Sequence, residues 1–545
     1  MRMTDSPSIR QPGWILGAAL IGAGLFMLRY GYAFGISDQD EFLPLVARIL
    51  DKDLFLVDWF VSMQFEGFSI RWPMAMLVAL PSTFLPVWSV VFLLHVGTTF
   101  ISATAVARLT HRIFHSRWAT LVATVAVMTV TTRWNPGGND ILHGMLVPSS
   151  VAWCLILTAI DRMHGQRFLA AGVLLAAATL FHPLLGMQAG GLMLLVVLTW
   201  GEIATRERIR LALPFLLVLL PIVALLASVG TASAEATTIL TTIRAPHHYL
   251  PGTFPVSSWL LFGALLAPAA VFLTGDRSTS DRFTSQTGHG LIPAVTRWDR
   301  SFLIRMLFIP SIVLIASLFL TSWPLEWPLA IRLQPWAASP LVRVLATLTL
   351  AGFVTTRFHA RWFRPAQEGR SGVFLDGVLP VAGVMVLLVS LYINQGSIQG
   401  ASNPDRDLHR WAQENSASDA IFVIPPSMTG FQYGSNRAQY VSFKSFPFAA
   451  EPTLEWWNRL QQVAPIEQVE PGGTALLARL DSSYAHMRLA DLRPFVATHD
   501  VDYIVRPQPD PAAWQDTETA EWCSDRWCVY WAGRILTQPV RPASP

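Results

Sequence analysis

Long apolar stretches alternate with short arginine-bearing loops as far as Asn394, and after that point the chain turns mixed and charged. A helix that crosses a bilayer needs about 20 apolar residues. Short loops rich in arginine stay on the cytoplasmic side. Together these rules predict a first span over 14–34, running outward from a cytoplasmic N-terminus. A polar-apolar segment, 35–71, then reads as amphipathic helices on the outer surface. The stretch 72–107 carries no Asp, Glu, Lys or Arg. It is long for one helix, and Pro81 and Pro86 predict a bent or re-entrant first part. Spans near 118–132 and 144–160 follow. The charge-free stretch 168–201 has basic residues at both ends, so it predicts a hairpin of two short helices turning at His182-Pro183. Further spans fall near 211–229, 256–274, 302–321, 335–356 and 373–393. The expected architecture is a polytopic α-helical membrane protein of about eleven transmembrane helices, with the C-terminus outside.

Past Asn394 the pattern shortens. Asp405–Glu414 predicts a helix with Asp405 as its cap, Ala420–Ile424 a buried strand, Glu451–Val463 and Leu489–Thr498 helices, and Val501–Val505 a second strand. Alternating strands and helices predict a small extracytoplasmic α/β domain over 395–545, after a transmembrane domain over 1–394 with 35–71 as its outer loop.

Composition agrees with a membrane protein. Of 545 residues 52% are hydrophobic and 14% charged, against about 25% charged in soluble domains. A net charge of +3 offers no electrostatic footing for nucleic acid. Arginine supplies nearly all the positive charge, Lys52 and Lys444 being the only lysines. Cys154 reads as a small apolar residue within a span. Cys523 and Cys528 flank Ser-Asp-Arg-Trp, and export predicts that they pair.

The polar constellations of the membrane half all fall at predicted outer loops. They are Ser37-Asp38-Gln39-Asp40-Glu41-Phe42, the loop Arg133 to Asp140 with Asn135, the turn at His182, and Arg244-Ala245-Pro246-His247-His248-Tyr249. Asp38, Asp40 and Glu41 are the candidate catalytic acids, and carboxylates so placed serve either as a general base or as ligands of a divalent cation, magnesium or manganese. The adjacent His247 and His248 point apart and have no third ligand near in sequence, so a zinc site is not predicted there. Arg244, His247, His248 and Tyr249 suit a phosphate group. Arg343, deep in the span 335–356, is expected to face a cavity, a lipid phosphate or a carboxylate such as Glu326. Trp323, Trp327 and Trp336 read as an interface belt. Each constellation also has a plainer reading: a solvated loop for the acids, a helix break for His182-Pro183.

The residues Ser37-Asp38-Gln39 to Pro44, Asp53-Leu54-Phe55, Asp58-Trp59-Phe60, His182 to Gly186, Arg244 to Tyr249 and Gly430-Phe431 to Phe448 resemble the GT-C class of integral-membrane glycosyltransferases. More narrowly, the chain resembles a group of bacterial membrane proteins related to that class. The resemblance implies a polyprenyl-phosphate-linked sugar as donor, an envelope glycan, lipid or protein as acceptor, a bacterial inner-membrane location, and the first-loop acid, Asp38, as base or metal ligand. Asp58, Arg133, Asn135, His182, Arg244, His247, His248, Tyr249, Arg343, Arg437 and Lys444 become the expected substrate-binding residues. The competing expectations are a polytopic transporter or flippase, and a catalytically inactive GT-C relative that acts as a binding module. Polar groups gathered at one face, with few near the bilayer midplane, favour the enzyme.

Overall fold

The computed structural model describes residues 13–67, 69–131, 135–228, 233–274, 295–322, 325–362, 368–400, 403–508 and 520–537. The chain divides into two compact units. One comprises Met1–Tyr32, Leu93–Ile222 and Leu250–Gln395; the other comprises Ala33–Phe92, Val223–Tyr249 and Gly396–Pro545.

The first unit is helical. Among the described residues of the whole chain, six helices are long and apolar enough to cross a bilayer: Gly13–Tyr30, Val87–Phe114, Thr205–Ala227, Val256–Thr274, Arg297–Thr321 and Pro328–Thr355. Shorter apolar helices include Arg117–Val130, Phe168–Phe181, Pro183–Leu198 and Val378–Ile393. The helix Gly13–Tyr30 lies along Glu368–Ile393, and a Cβ added at Gly17 would sit 2.6 Å from the Leu379 carbonyl carbon. Glycine at the crossing is what lets the two backbones approach, since lipid supplies no hydrophobic drive between helices. Asn394 closes this pair: its Oδ1 accepts from the Tyr32 amide at 2.9 Å and its Nδ2 donates to the Met27 carbonyl.

The stretch 168–201 is two helices, Phe168–Phe181 and Pro183–Leu198, broken at an extended His182. The stretch 72–107 divides into Trp72–Ser82 and a helix starting at Val87. Asp161 lies buried between Arg108 and Arg112, each at 3.4 Å, and His164 meets Asp299 at 2.8 Å. Two points differ from expectation. Trp336 is no interface residue, because it is buried among Phe254, Trp259 and Phe262. Asp405 precedes the helix Arg406–Asn415 without capping it by its side chain, because its Oδ1 accepts from Arg526 and from Trp527 Nε1 instead. Trp323 lies outside the described residues.

The second unit is built on a five-stranded sheet of order β2-β1-β3-β5-β4, with β1 Ile421–Val423, β2 Ala438–Gln439, β3 Tyr503–Pro507, β4 Trp522–Cys523 and β5 Trp527–Trp531. Pairs β1/β2 and β1/β3 are parallel; β3/β5 and β5/β4 are antiparallel. Successive strand residues face opposite sides, and the core divides accordingly. Val423, Ile504 and Tyr530 join Trp456, Leu460, Leu480 and Tyr484 from the helices Ala450–Val463 and Thr474–His486. Phe422, Val505 and Val529 join Leu408, Ala412 and Phe431 from Arg406–Asn415 and Phe431–Ser435. Ile239 and Ile243, from the segment preceding Arg244, are buried in the first of these cores. Each such side chain contributes about 1.5–3 kcal/mol when fully buried. Cys523 and Cys528 form a disulfide across the β4–β5 turn.

The segment 33–92 fastens to this sheet unit through two buried carboxylates. Asp40 accepts from the Gly430 amide at 2.8 Å. Asp58 caps the helix Trp59–Glu66 through the Val61 amide at 2.9 Å, and its other oxygen accepts from Gln432 Nε2 at 2.6 Å and the Gln439 amide at 3.0 Å. Gly430 has φ +82°, and a Cβ there would collide with the Gly35 carbonyl. Gly430→Ala is therefore expected to destabilise the second unit by about 1–3 kcal/mol or more, read as a lower thermal midpoint of the detergent-solubilised protein. An unchanged midpoint would show that the tether is dispensable.

Candidate active site

The acidic segment Ser37–Glu41 is a single 3-10 turn, entered through left-handed backbone at Gly35 and Ser37 and held by the Gln39 side chain, whose Oε1 accepts from the Gly35 amide at 2.6 Å. In a 3-10 turn residues three apart eclipse each other. Asp38 and Glu41 thus share one side, while Asp40 points inward, where it is 3% exposed.

Asp38 and Glu41 meet cations from distant parts of the same unit. Asp38 pairs with Lys444, and both side chains remain partly exposed. Glu41 pairs with Arg71 at 2.9 Å, and the same guanidinium donates to the Phe446 carbonyl at 2.7 Å and lies over the rings of Phe60 and Phe448. Arg244 ends a π-helical turn, Ile239–Arg244, and lies 4.5 Å over the Phe443 ring and 5.7 Å over Phe446. Its Nε has no hydrogen-bond partner among the described residues. Burial lowers its basicity, opposed by the nearby charges of Glu41 and Asp38 and by Tyr249. A half-buried guanidinium that rests on two aromatic faces with a donor unused is held there by cation–π attraction and packing. It is ready to donate to an anion.

His247 and His248 follow on the short helix Pro246–Tyr249, their rings 4.1 Å apart. Burial, then the charges of His248, Arg244 and Lys444, bring His247 down to about 3. It is therefore neutral near pH 7 and adds no like charge to the cations beside it. Tyr249 is buried. The acidic turn, the Arg244–Tyr249 segment and Lys444 are thereby brought to one place.

The other expected site residues do different work. Asp40 and Asp58 are consumed by the tethering contacts described above, which leaves neither carboxylate open to a substrate. Arg437 donates to the Gln413 carbonyl at 2.7 Å and the Ser416 carbonyl at 2.8 Å, satisfying acceptors at the end of the helix Arg406–Asn415. In the first unit, Arg343 is fully buried and donates to Asn135 Oδ1 at 3.0 Å. There too, His182 is the cap of Pro183–Leu198, its Nδ1 accepting from the Leu185 amide at 3.3 Å. Arg133 lies outside the described residues. Arg71, Phe443 and Phe446 were not anticipated as site residues. The one available signal was the aromatic run Phe443-Lys444-Ser445-Phe446-Pro447-Phe448, which interleaves one of two lysines with three rings.

A divalent cation does not suit these carboxylates as they stand. Asp38 and Glu41 each face a nitrogen cation, Asp40 faces a backbone amide, and no three His, Cys, Asp or Glu side chains among the described residues are grouped as ligands.

Residues 404–463 match the model of a domain of unknown function, DUF6798. No curated protein matches the sequence. The solved structures similar to this chain include these two. One is the Archaeoglobus fulgidus oligosaccharyltransferase in complex with zinc and sulfate, at 12% identity over 91% of this chain and 68% of that one, with a TM-score of 0.43. The other is ArnT from Cupriavidus metallidurans bound to undecaprenyl phosphate, at 12% identity over 97% of this chain and 100% of that one, with a TM-score of 0.45.

Burial raises the Asp40 carboxyl from the usual 3.8 to about 8, against the lowering effects of the Gly430 amide and Lys444. Between those values the folded protein holds a proton that the unfolded chain releases, so stability falls as pH rises through that window. Asp58 is raised in the same direction, also by burial. Asp40→Asn keeps an oxygen for the Gly430 amide and has no proton to lose. The thermal midpoint of Asp40→Asn relative to the parent is expected to rise as pH increases through this range, because the contributions of Asp58 and of His247 are common to both proteins and cancel in the difference. An identical slope would contradict the assignment.

Proposed function

We propose that this protein is a membrane glycosyltransferase that moves a sugar from a polyprenyl-phosphate donor to an acceptor on the extracytoplasmic face. The observation that carries this reading is the meeting of the acidic turn with Arg244, His247 and Lys444 in one unit: a carboxylate for the acceptor and cations for the donor phosphate. Arg244 offers its unused Nε–H and Lys444 its ammonium to the phosphate, as charge-assisted donors. His247, neutral when the site is empty, becomes easier to protonate beside an anion.

Asp38 is the base. The acceptor oxygen attacks the anomeric carbon as that carbon's bond to the phosphate oxygen breaks. The hydroxyl proton passes to Asp38, and the bonding pair leaves with the polyprenyl phosphate. Asp38 is ion-paired with Lys444 in the absence of substrate, and an ion pair weakens a base. A donor phosphate that draws Lys444 toward itself would free the carboxylate, so that base strength rises only when the donor is in place. The extracytoplasmic orientation is supported by the rule that short arginine-rich loops stay cytoplasmic, applied to the sequence.

Asp38→Asn at normal protein level is expected to lower sugar transfer from a polyprenyl-phosphate-linked donor by roughly 10²–10⁴-fold, with donor binding retained. Lys444→Gln and Arg244→Gln should chiefly weaken donor binding. Full transfer by Asp38→Asn would remove it as base. For orientation, a cysteine placed at the exposed position Asp53 should react with a membrane-impermeant maleimide in intact cells; protection until the cells are lysed would reverse the topology.

A further inference from the structure

A separate cavity of about 280 Å³ opens in the second unit, lined by Phe34, Gly35, Gln399, Gly400 and Asn403, one face of the helix Arg406–Asn415, and Gly430, Tyr433 and Gly434. None of the residues given a catalytic or donor-binding part above lines it. The volume is at the small end of ligand pockets, which run about 300–1,000 Å³, and suits a single sugar ring.

The helix presents Arg406, His409, Arg410 and Gln413 to this cavity, a spacing that puts all four on one stripe. Arg406 and Arg410 are exposed, and neither has an ion-pair partner among the described residues. The nearest acid in sequence, Asp405, is occupied by Arg526 and Trp527. Asp407 and Glu414 line a different cavity, which Arg410 also borders, but neither acid is ion-paired with it among the described residues. Both arginines lie in the first half of a ten-residue helix, whose N-terminal dipole adds to their positive field. His409 is 5% exposed and its Nε2 has no hydrogen-bond partner, an unmet requirement in the wall of the cavity. Tyr433 supplies a ring, held edge-on against Phe34 at 5.6 Å, and a hydroxyl that forms no hydrogen bond among the described residues. Asn403 Oδ1 accepts from the Asp405 amide at 2.9 Å, which leaves its amide nitrogen to donate.

We propose that this cavity binds an anionic monosaccharide unit. The carboxylate or phosphate lies between Arg406 and Arg410. The sugar hydroxyls meet Asn403, Gln413 and the Tyr433 hydroxyl, with the apolar face of the ring against Tyr433. Two unpaired guanidiniums select for charge, while amides and an aromatic ring select for a saccharide over a bare anion. The inference does not rest on the transferase reading, since it uses other residues and needs no reaction.

The test is saturation-transfer NMR on the full-length protein in detergent, with glucuronate, glucose 6-phosphate, glucose, inorganic phosphate and acetate as probes. Glucuronate, glucose 6-phosphate or both are expected to bind, with glucose at least about tenfold weaker, a difference of about 1.4 kcal/mol. A preference between the first two identifies the anion as carboxylate or phosphate. Arg406→Gln combined with Arg410→Gln should abolish the signal, and Tyr433→Ala should weaken the sugar without affecting acetate. Arg488→Gln, which removes an exposed arginine elsewhere in the unit, should change nothing. Absence of binding by both anionic sugars would overturn the proposal. So would binding that survives the double substitution in protein of unchanged thermal midpoint, or equal competition by acetate or phosphate alone.

Discussion

The second unit depends on two carboxylates that are buried against backbone amides. Asp40 and Asp58 both come from the segment 33–92, and both accept from residues 430–439 more than 370 positions later in the chain. A buried carboxylate is costly unless its oxygens are satisfied, and here the partners are N–H donors, from Gly430, Val61, Gln432 and Gln439. The arrangement is specific because it is costly. Moving the acidic turn leaves Asp40 without Gly430, and moving the helix Trp59–Glu66 leaves Asp58 without Gln432 and Gln439. The acidic turn is therefore held at the strand region, and Asp38 and Glu41 are aimed by their neighbour's burial.

This division of labour explains why the sequence was only partly legible. Five acidic or polar positions in a row after a first span do mark the place, and the alternation of apolar stretches and arginine loops does mark the helices. The short-range pattern also carries the broken hairpin at His182, since proline after an extended residue ends one helix and starts another. What the pattern does not carry is which acid of the cluster faces inward. That depends on the local turn being 3-10 and on an amide supplied by Gly430, a partner that no short window contains. The same limit hid Arg71, an ordinary arginine before an apolar run until Glu41 and the Phe446 carbonyl are set beside it. It also hid β4 and β5, because strands of two and five residues around a disulfide are shorter than any periodicity can register.

The reading of Arg437 shows the opposite error. A cation in an exported segment invites a substrate role, yet four of its hydrogen bonds go to Ser416 and to the Gln413, Ser416 and Asn436 carbonyls. Arginine's five donors in a fixed fork suit helix-end carbonyls as well as phosphates. Arg244 differs in what it lacks. It rests on Phe443 and Phe446 and keeps an unused donor. Unsatisfied buried donors are uncommon in folded proteins, so the one at Arg244 carries more information about ligands than its charge alone.

The same contrast separates the two places where we propose that this unit receives an anion. Around Arg244 the cations are counterbalanced by Asp38 and Glu41, and the imidazole of His247 is kept neutral. An anion that enters there must compete with carboxylates already present, which suits a site where charge is redistributed during a reaction. Along the helix Arg406–Asn415 neither guanidinium is held in an ion pair among the described residues, although Arg410 also borders the cavity of Asp407 and Glu414, and that suits retention. Carboxylates beside cations make a place for chemistry, and cations beside amides and a ring make a place for holding. Both proposed places fall in the sheet unit; the pattern of the membrane half marked Asp38, Arg244 and His247 of the first, and none of the helix residues of the second.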